Sequence, residues 1–396
     1  MKILLVIPGF PLNVGEIKGG VCSALSNLLN GYKNCDVSVR VISFNREISE
    51  NVVINYAPNI AIYYTAEGRL PHVFNYVLKG ATVLKKHIQE FDPAIVHYVM
   101  SGYILLTRVL GLSNKKQIVT IHGIAFPEAR QKEKLKEKLV LYSNGIVELL
   151  LRPTNIIHLS DYSVSQYGKS QNRTITIIPN AINPIYFDIP LKKETNNKLI
   201  YVGNIDANKN ILFLLKALKN LVENEFYFTL DILGGFSDKA YESQVLGYIK
   251  DNSLEKYIKF YGWVSQSQLQ SIIADADILV VSSKQESLPM VIAEAMSAGK
   301  VVVASSIGGV PEMITHGVDG FLFNINKVEN VLPILKSLYN NDELVHRIEL
   351  AAKEKAMLTY HCDSVAKKTL AFYRLLTSSV RIVRQAEQKH ASVIII

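Results

Sequence analysis

Glu286-Ser287-Leu288-Pro289-Met290-Val291-Ile292-Ala293-Glu294 sets two carboxylates eight residues apart across what reads as a loop running into a helix. The preceding run, Asp277-Ile278-Leu279-Val280-Val281, reads as a buried strand, and Pro289 suits the first turn of the helix. A strand that ends in a polar loop and feeds a helix presents polar groups and free backbone N–H donors to an anionic ligand. On that helix Met290, Val291, Ala293, Ala295 and Met296 are fit to pack inward, so Glu294 lies in an otherwise apolar stretch. An unpaired carboxylate there is costly. Spacing leaves two readings open: Glu294 pairs with a neighbouring Lys or Arg, or the hydroxyls of a ligand relieve it.

Outward from this stretch, apolar β-branched runs alternate with amphipathic segments. Strand candidates in the first half are Ile3–Ile7, Val37–Ser43, Ile95–Tyr98, Gln117–Ile121, Ile156–Leu159 and Thr174–Ile178. The second half offers Leu199–Val202, Phe226–Leu233, Ile258–Tyr261, Ile278–Val281 and Val301–Ala304. Helical periodicity marks Val21–Leu29, Asn210–Leu221, Ala240–Lys250 and Leu344–Lys355. Such alternation implies parallel sheets wound by right-handed crossovers. A chain of 396 residues exceeds one core and fits two domains. The polar stretch 190–198 is the natural linker, which gives domains 1–190 and 191–376, followed by a segment 377–396.

Composition excludes several classes. Hydrophobic content of 48% with 20% charged residues is that of a soluble globular protein, and no apolar run is long enough to span a membrane. The apolar start after Lys2 is too brief for a signal-peptide core and reads as a strand. Cys22, Cys35 and Cys362 lack metal-ligand spacing and read as free thiols of a reducing compartment. The expected location is cytoplasmic. Of the net charge of +8, residues 1–190 carry +7 and the remainder +1. The densest part, residues 130–138 with an apolar continuation, is compatible with docking on an anionic membrane surface, and equally with a solvated helix laced with Glu–Lys pairs. No nucleic-acid motif and no aromatic interleaving accompany the basic residues, so no nucleic-acid partner is expected.

Ligands of open parallel sheets bind beyond the carboxyl ends of the strands, and the informative residues fall there. Gly15-Glu16-Ile17-Lys18-Gly19-Gly20 follows the first strand and matches neither the dinucleotide fingerprint nor the P-loop. His122 and Gly123 end the strand Ile118–Ile121; such a histidine is either structural or aimed at a ligand. Tyr201-Val202-Gly203-Asn204, with Lys209 and Asn210 further on, is a strand, a loop and a helix start. Gly234-Gly235 and Tyr261-Gly262-Trp263-Val264 end two more strands, with Trp263 readable as a core residue.

Beyond Glu294 the chain runs through Ala298-Gly299-Lys300, Gly308-Gly309-Val310-Pro311-Glu312 and His316-Gly317-Val318-Asp319-Gly320-Phe321. The whole closely resembles the signature of the retaining GT-B glycosyltransferases of the group 1, or family 4, type. The resemblance is dense from Tyr201 to Phe323 and sparser before. It implies an α/β fold of two doubly wound Rossmann-like domains facing across a cleft, with the C-terminal segment crossing back to the first. The implied activity is retaining transfer of a sugar from a nucleotide diphosphate-sugar to a saccharide or lipid-linked acceptor, in surface polysaccharide or glycolipid biosynthesis. Neither cofactor nor metal is expected.

The resemblance also implies roles. Gly19 and Gly20 lie over the donor phosphates, and His122 positions the transferred sugar. Gly203, Asn204, Lys209 and Gly234 meet the diphosphate, while Gly262 and Val264 adjoin the nucleobase. Glu286 sits by the transferred sugar, Ser287, Leu288, Pro289 and Met290 bring backbone to sugar and diphosphate, and Glu294 takes the ribose hydroxyls. His97 and Asn180 match family segments with supporting roles. Two positions depart from the pattern: Asn204 replaces an expected arginine and Asn210 an expected glycine. A nucleotide-sugar epimerase of the same fold, or a degenerate binding module, is the alternative.

Overall fold

The computed structural model describes residues 1–13, 19–67, 72–108, 115–123, 135–167 and 173–378. Two compact units result: Met1–Asn180 with the residues from Val365 on, and Ala181–Ser364. The stretch expected as a linker belongs to the second unit. Ile182 N–H donates to Tyr360 O (2.8 Å), and the Asp277 carboxylate accepts from the backbone N–H groups of Asn196 and Lys198 (2.8 and 2.9 Å).

In the first unit the strands are β1 (Lys2–Pro8), β2 (Ser38–Asn45), β3 (Val52–Ala57), β4 (Ile60–Ala66), β5 (Ile95–Tyr98), β6 (Lys116–Ile121), β7 (Asn155–His158) and β8 (Thr174–Ile177). They form an eight-stranded sheet in the order β3-β4-β2-β1-β5-β6-β7-β8. Ile3 to Ile7 are fully buried, as a central parallel strand covered on both faces requires. All pairings are parallel except β3 with β4. That hairpin was not read from the sequence, where strands were expected to alternate with helices. It is fixed by Asn59, whose amide donates to Tyr32 O, Cys35 O and Val37 O.

The second unit contains β9 (Lys198–Val202), β10 (Thr229–Leu233), β11 (Ile258–Gly262), β12 (Ile278–Val281), β13 (Val301–Ser305) and β14 (Phe321–Phe323). Their order is β11-β10-β9-β12-β13-β14, all parallel. Strand residues alternate between two cores. Leu199, Ile278, Val280, Val301 and Val303 pack with the helices Ile211–Glu223 and Lys239–Asp251, whereas Ile200, Leu279, Val281, Val302 and Ala304 pack with Met290–Ser297. The period of two thus splits one apolar run between opposite faces, and each side chain so buried contributes about 1.5–3 kcal/mol.

The helix Cys362–Thr377 carries the chain into the first unit from Val365. There the hydroxyl of Tyr373 lies 2.5 Å from His97 Nδ1, and His97 Nε2 lies 2.7 Å from Thr120 Oγ1. Both ring nitrogens are partnered, and burial pushes His97 down to about 3, so it is a neutral structural residue. Positions 379–396, most of the segment expected to cross back, lie outside the described residues. No helix among the described residues is long and apolar enough to cross a membrane.

Candidate active site

In the second unit β9 is followed by β10 and β11 on one side, while β12 is followed by β13 and β14 on the other. The strand order therefore reverses between β9 and β12, and the helices that follow these two strands pack on opposite faces of the sheet. Such a switch point is where open parallel sheets bind ligands.

Glycine makes the close packing of these loops achievable. Gly203, Gly234 and Gly262 end β9, β10 and β11 with φ of 151°, 128° and 63°. Gly203 N–H donates to Leu233 O (3.0 Å) and Gly234 N–H to Gly262 O (2.8 Å). A Cβ on Gly234 would lie 1.9 Å from Gly203 O, which no side chain tolerates. These residues hold the loops rather than decorate them. Asn210 has φ 54° and ψ 47°, the left-handed region. The departure from the expected glycine is thus met by the residue that best tolerates that conformation.

The loops after β9 and β12 are bound to each other. Lys284 N–H donates to Asn208 O (2.7 Å), Asn208 Nδ2 to Gln285 O (3.3 Å), and Ser282 Oγ to Lys209 O (3.1 Å). Across this seam the Lys209 ammonium forms an ion pair with Glu286 Oε1, which also accepts from Ser283 Oγ (2.7 Å). Gly308 backs the same loop; a Cβ there would meet Glu286 O at 1.8 Å. Asn208, Ser283 and Gly308 went unassigned in the sequence, where the only signal was polar and glycine residues directly after strands.

Ser287, Leu288 and Pro289 lead into the helix Met290–Ser297. Pro289 is its N-cap, one residue before the expected first turn, and no side chain caps the helix. The N–H groups of its first turn thus receive no side-chain cap among the described residues. The carboxylate of Glu294, one turn further, makes no ion pair or hydrogen bond among the described residues, so the salt-bridge reading does not hold. Burial alone pushes its carboxyl up to about 7. Val264 packs at the margin of the same core, and Trp263 is 76% exposed rather than a core residue. It lies against Gly235, where a Cβ would come within 2.4 Å of the indole nitrogen. Asn204 is exposed, and its carbonyl accepts from the Tyr201 hydroxyl (2.7 Å).

In the first unit, Gly19 (φ 88°) is the N-cap of the helix Gly20–Tyr32, again without a side-chain cap. Residues 14–18 of that loop lie outside the described residues. His122 follows β6, and the Val99 backbone hydrogen-bonds its ring. Its Nε2 is buried without a partner among the described residues, and burial lowers its pKa to about 4, leaving a neutral imidazole. The described residues also include one compact set of potential metal ligands, His361, Cys362 and Asp363. Burial and the adjoining carboxylate push the Cys362 thiol up to about 11, which disfavours a ligating thiolate.

Comparison with known proteins settles the family. The model for Glycosyltransferase Family 4 matches residues 18–185, and that for Glycosyl transferases group 1 matches residues 183–355. The chain is a glycosyltransferase of this group. The amylovoran biosynthesis glycosyltransferase AmsK of Erwinia amylovora is 26% identical over 71% of this chain and 69% of its own. The fold matches sucrose-phosphate synthase from Thermosynechococcus elongatus with a TM-score of 0.76, at 18% identity over 95% of this chain and 98% of that one. It also matches Anabaena HepE, solved in complex with UDP and glucose, with a TM-score of 0.70 at 17% identity over 94% and 99%. The glycosyltransferase thus has the GT-B architecture of two parallel-sheet α/β domains.

The state of Glu294 gives a pH signature. Its folded pKa lies above the ordinary 4.5, so the folded chain holds the proton more tightly. Its stabilising contribution is therefore complete at low pH and is lost as pH rises from 4.5 through about 7. Glu294→Gln should melt above the parent at pH 8, with the difference vanishing near pH 5 in thermal scans. A difference independent of pH would contradict the buried, unpaired carboxylate.

Proposed function

We propose that this glycosyltransferase moves a sugar from a nucleotide diphosphate-sugar, with retained anomeric configuration, to a saccharide or lipid-linked acceptor in surface polysaccharide or glycolipid synthesis. The observation that carries this is the Lys209–Glu286 pair at the switch point, with an uncapped helix and an unpaired Glu294 directly after it. A diphosphate would draw on the Lys209 ammonium and the free N–H groups at Met290. The ribose hydroxyls would donate to Glu294 and relieve its desolvation. Glu286, released from Lys209, would accept from hydroxyls of the transferred sugar. Within the first unit, Gly19 and Gly20 are the residues the family pattern assigns to the donor phosphates and the neutral His122 the one it assigns to the transferred sugar. In this reading cationic and dipolar groups, rather than a metal ion, stabilise the leaving diphosphate. The UDP and glucose of the HepE structure and the amylovoran role of the Erwinia relative support it.

A thermal-shift series with UDP, GDP, ADP and their sugars tests the donor. One nucleotide should raise the melting temperature. Lys209→Ala should weaken that nucleotide by about tenfold or more, since a hydrogen bond to a charged group contributes about 1.5–3 kcal/mol. NMR of the product should show the donor's anomeric configuration. No shift with any nucleotide contradicts the donor reading, and an inverted product contradicts retention. Isomerised donor without acceptor would favour the epimerase.

A second reading concerns location: the enzyme works at the cytoplasmic face of an anionic membrane. The helix Leu135–Leu151 exposes Leu135, Leu139, Ile146 and Leu150, which fall on one stripe at helical spacing, while Glu148 on another side is buried. Lys136 and Lys138 flank the stripe, and residues 130–134 of the basic run lie outside the described residues. An apolar stripe bordered by lysines fits the interface of anionic lipids. Parent enzyme should cosediment with anionic but not neutral vesicles, and Leu139→Asp with Leu150→Asp should abolish it. Parent enzyme that stays in solution at low salt overturns this reading.

A further inference from the structure

The donor reading leaves an electrostatic deficit, and the present inference rests on that reading. A nucleoside diphosphate is a multiply charged anion, but the positive charge of Lys209 is already balanced by Glu286. The rest of the β9 loop supplies Asn204, Asp206, Asn208 and Asn210, none of them cationic. The loops Gly234–Asp238, Gly262–Ser265 and Ser306–Gly309 contain no lysine or arginine. At the carboxyl end of this sheet three lysines remain besides Lys209, of which Lys239 opens the helix after β10. Lys327 follows β14, at the sheet edge; Lys284 follows β12, at the switch point.

Lys284 is well placed. Its backbone N–H donates to Asn208 O at 2.7 Å, so its Cα is pinned to the loop that carries Lys209. The neighbouring Gln285 carbonyl accepts from Asn208 Nδ2 at 3.3 Å, a second tie between the two loops. The side chain is exposed and makes no hydrogen bond, ion pair or ring contact among the described residues. A lysine on a loop tied at both ends is a point charge on a flexible stem, suited to phosphate oxygens whose position shifts as the sugar leaves.

We propose that Lys284 is the second cation of the donor site, contacting the diphosphate opposite Lys209. It supplies the charge that the uncharged side chain of Asn204 does not. The diphosphate then bridges the loops after β9 and β12, and Glu286 is left to the sugar.

Isothermal titration of the full chain with UDP, GDP and ADP, at two salt concentrations, tests this. For the nucleotide that binds the parent, Lys284→Ala should raise Kd by about tenfold and flatten its salt dependence, since screening acts on the lost charge. Lys284→Arg should keep most of the affinity, and Lys327→Ala should leave it unchanged. Unaltered melting temperatures will show that the variants fold. If Lys284→Ala binds like the parent, or Lys327→Ala weakens binding equally, this inference is wrong while the donor reading stands. If the parent binds none of the three nucleotides, both fall together.

Discussion

The parallel pairing of β9 with β12 is the constraint on which the rest of the second unit depends. Leu199 opposite Ile278 and Ile200 opposite Leu279 join two strands whose successors lie on opposite sides. The two connections therefore leave the sheet in different directions, and the gap between them cannot be filled by a further strand. What lines that gap is a matter of loop chemistry. The Lys284 N–H bonded to Asn208 O and the Asn208 side-chain amide bonded to Gln285 O hold the two loops together, and Gly308 lets the chain after β13 press against the carbonyl of Glu286. Glycines at the ends of β9, β10 and β11 perform the same service on the other side.

On this scaffold the charges are arranged at a cost. The Glu294 carboxylate sits in an apolar helix without a partner among the described residues, and Lys209 and Glu286 pair with each other. Ligand hydroxyls and phosphates would redistribute these interactions: an anion competes with Glu286 for Lys209, and hydroxyl donors reach a carboxylate that burial has left undersolvated. On the proposed reading, stability and donor binding draw on the same residues, as is common where function requires buried polar groups. In the first unit His97 is locked between Thr120 and Tyr373, whereas the buried Nε2 of His122 has no partner among the described residues.

Much of this was legible in the residues. Continuous apolar runs such as Ile278–Val281 and Ile95–Tyr98 gave strands to the residue, because a parallel strand buried on both faces has no other sequence pattern. The hairpin Val52–Ala66 and the short β14 were missed. The hairpin's outer strand is half exposed and its fixing residue, Asn59, acts through backbone carbonyls distant in sequence. Lys209 and Glu286 were singled out as site residues, but their mutual pairing was not, since it links loops 77 residues apart in the chain. Trp263, which composition left readable as core, is exposed because it lies in the loop that ends an edge strand. Asn210, in place of the expected glycine, has the left-handed backbone that asparagine tolerates better than most non-glycine residues.

Hydrogen–deuterium exchange of the full chain, with and without the nucleoside diphosphate that binds it, tests the central claim most directly. Ligand at the switch point should slow exchange in peptides covering 203–210 and 283–294 together, because it would tie down the two loops and the first turn of the helix after them. Protection confined to other segments, with these two unchanged while the nucleotide is bound, would contradict the account.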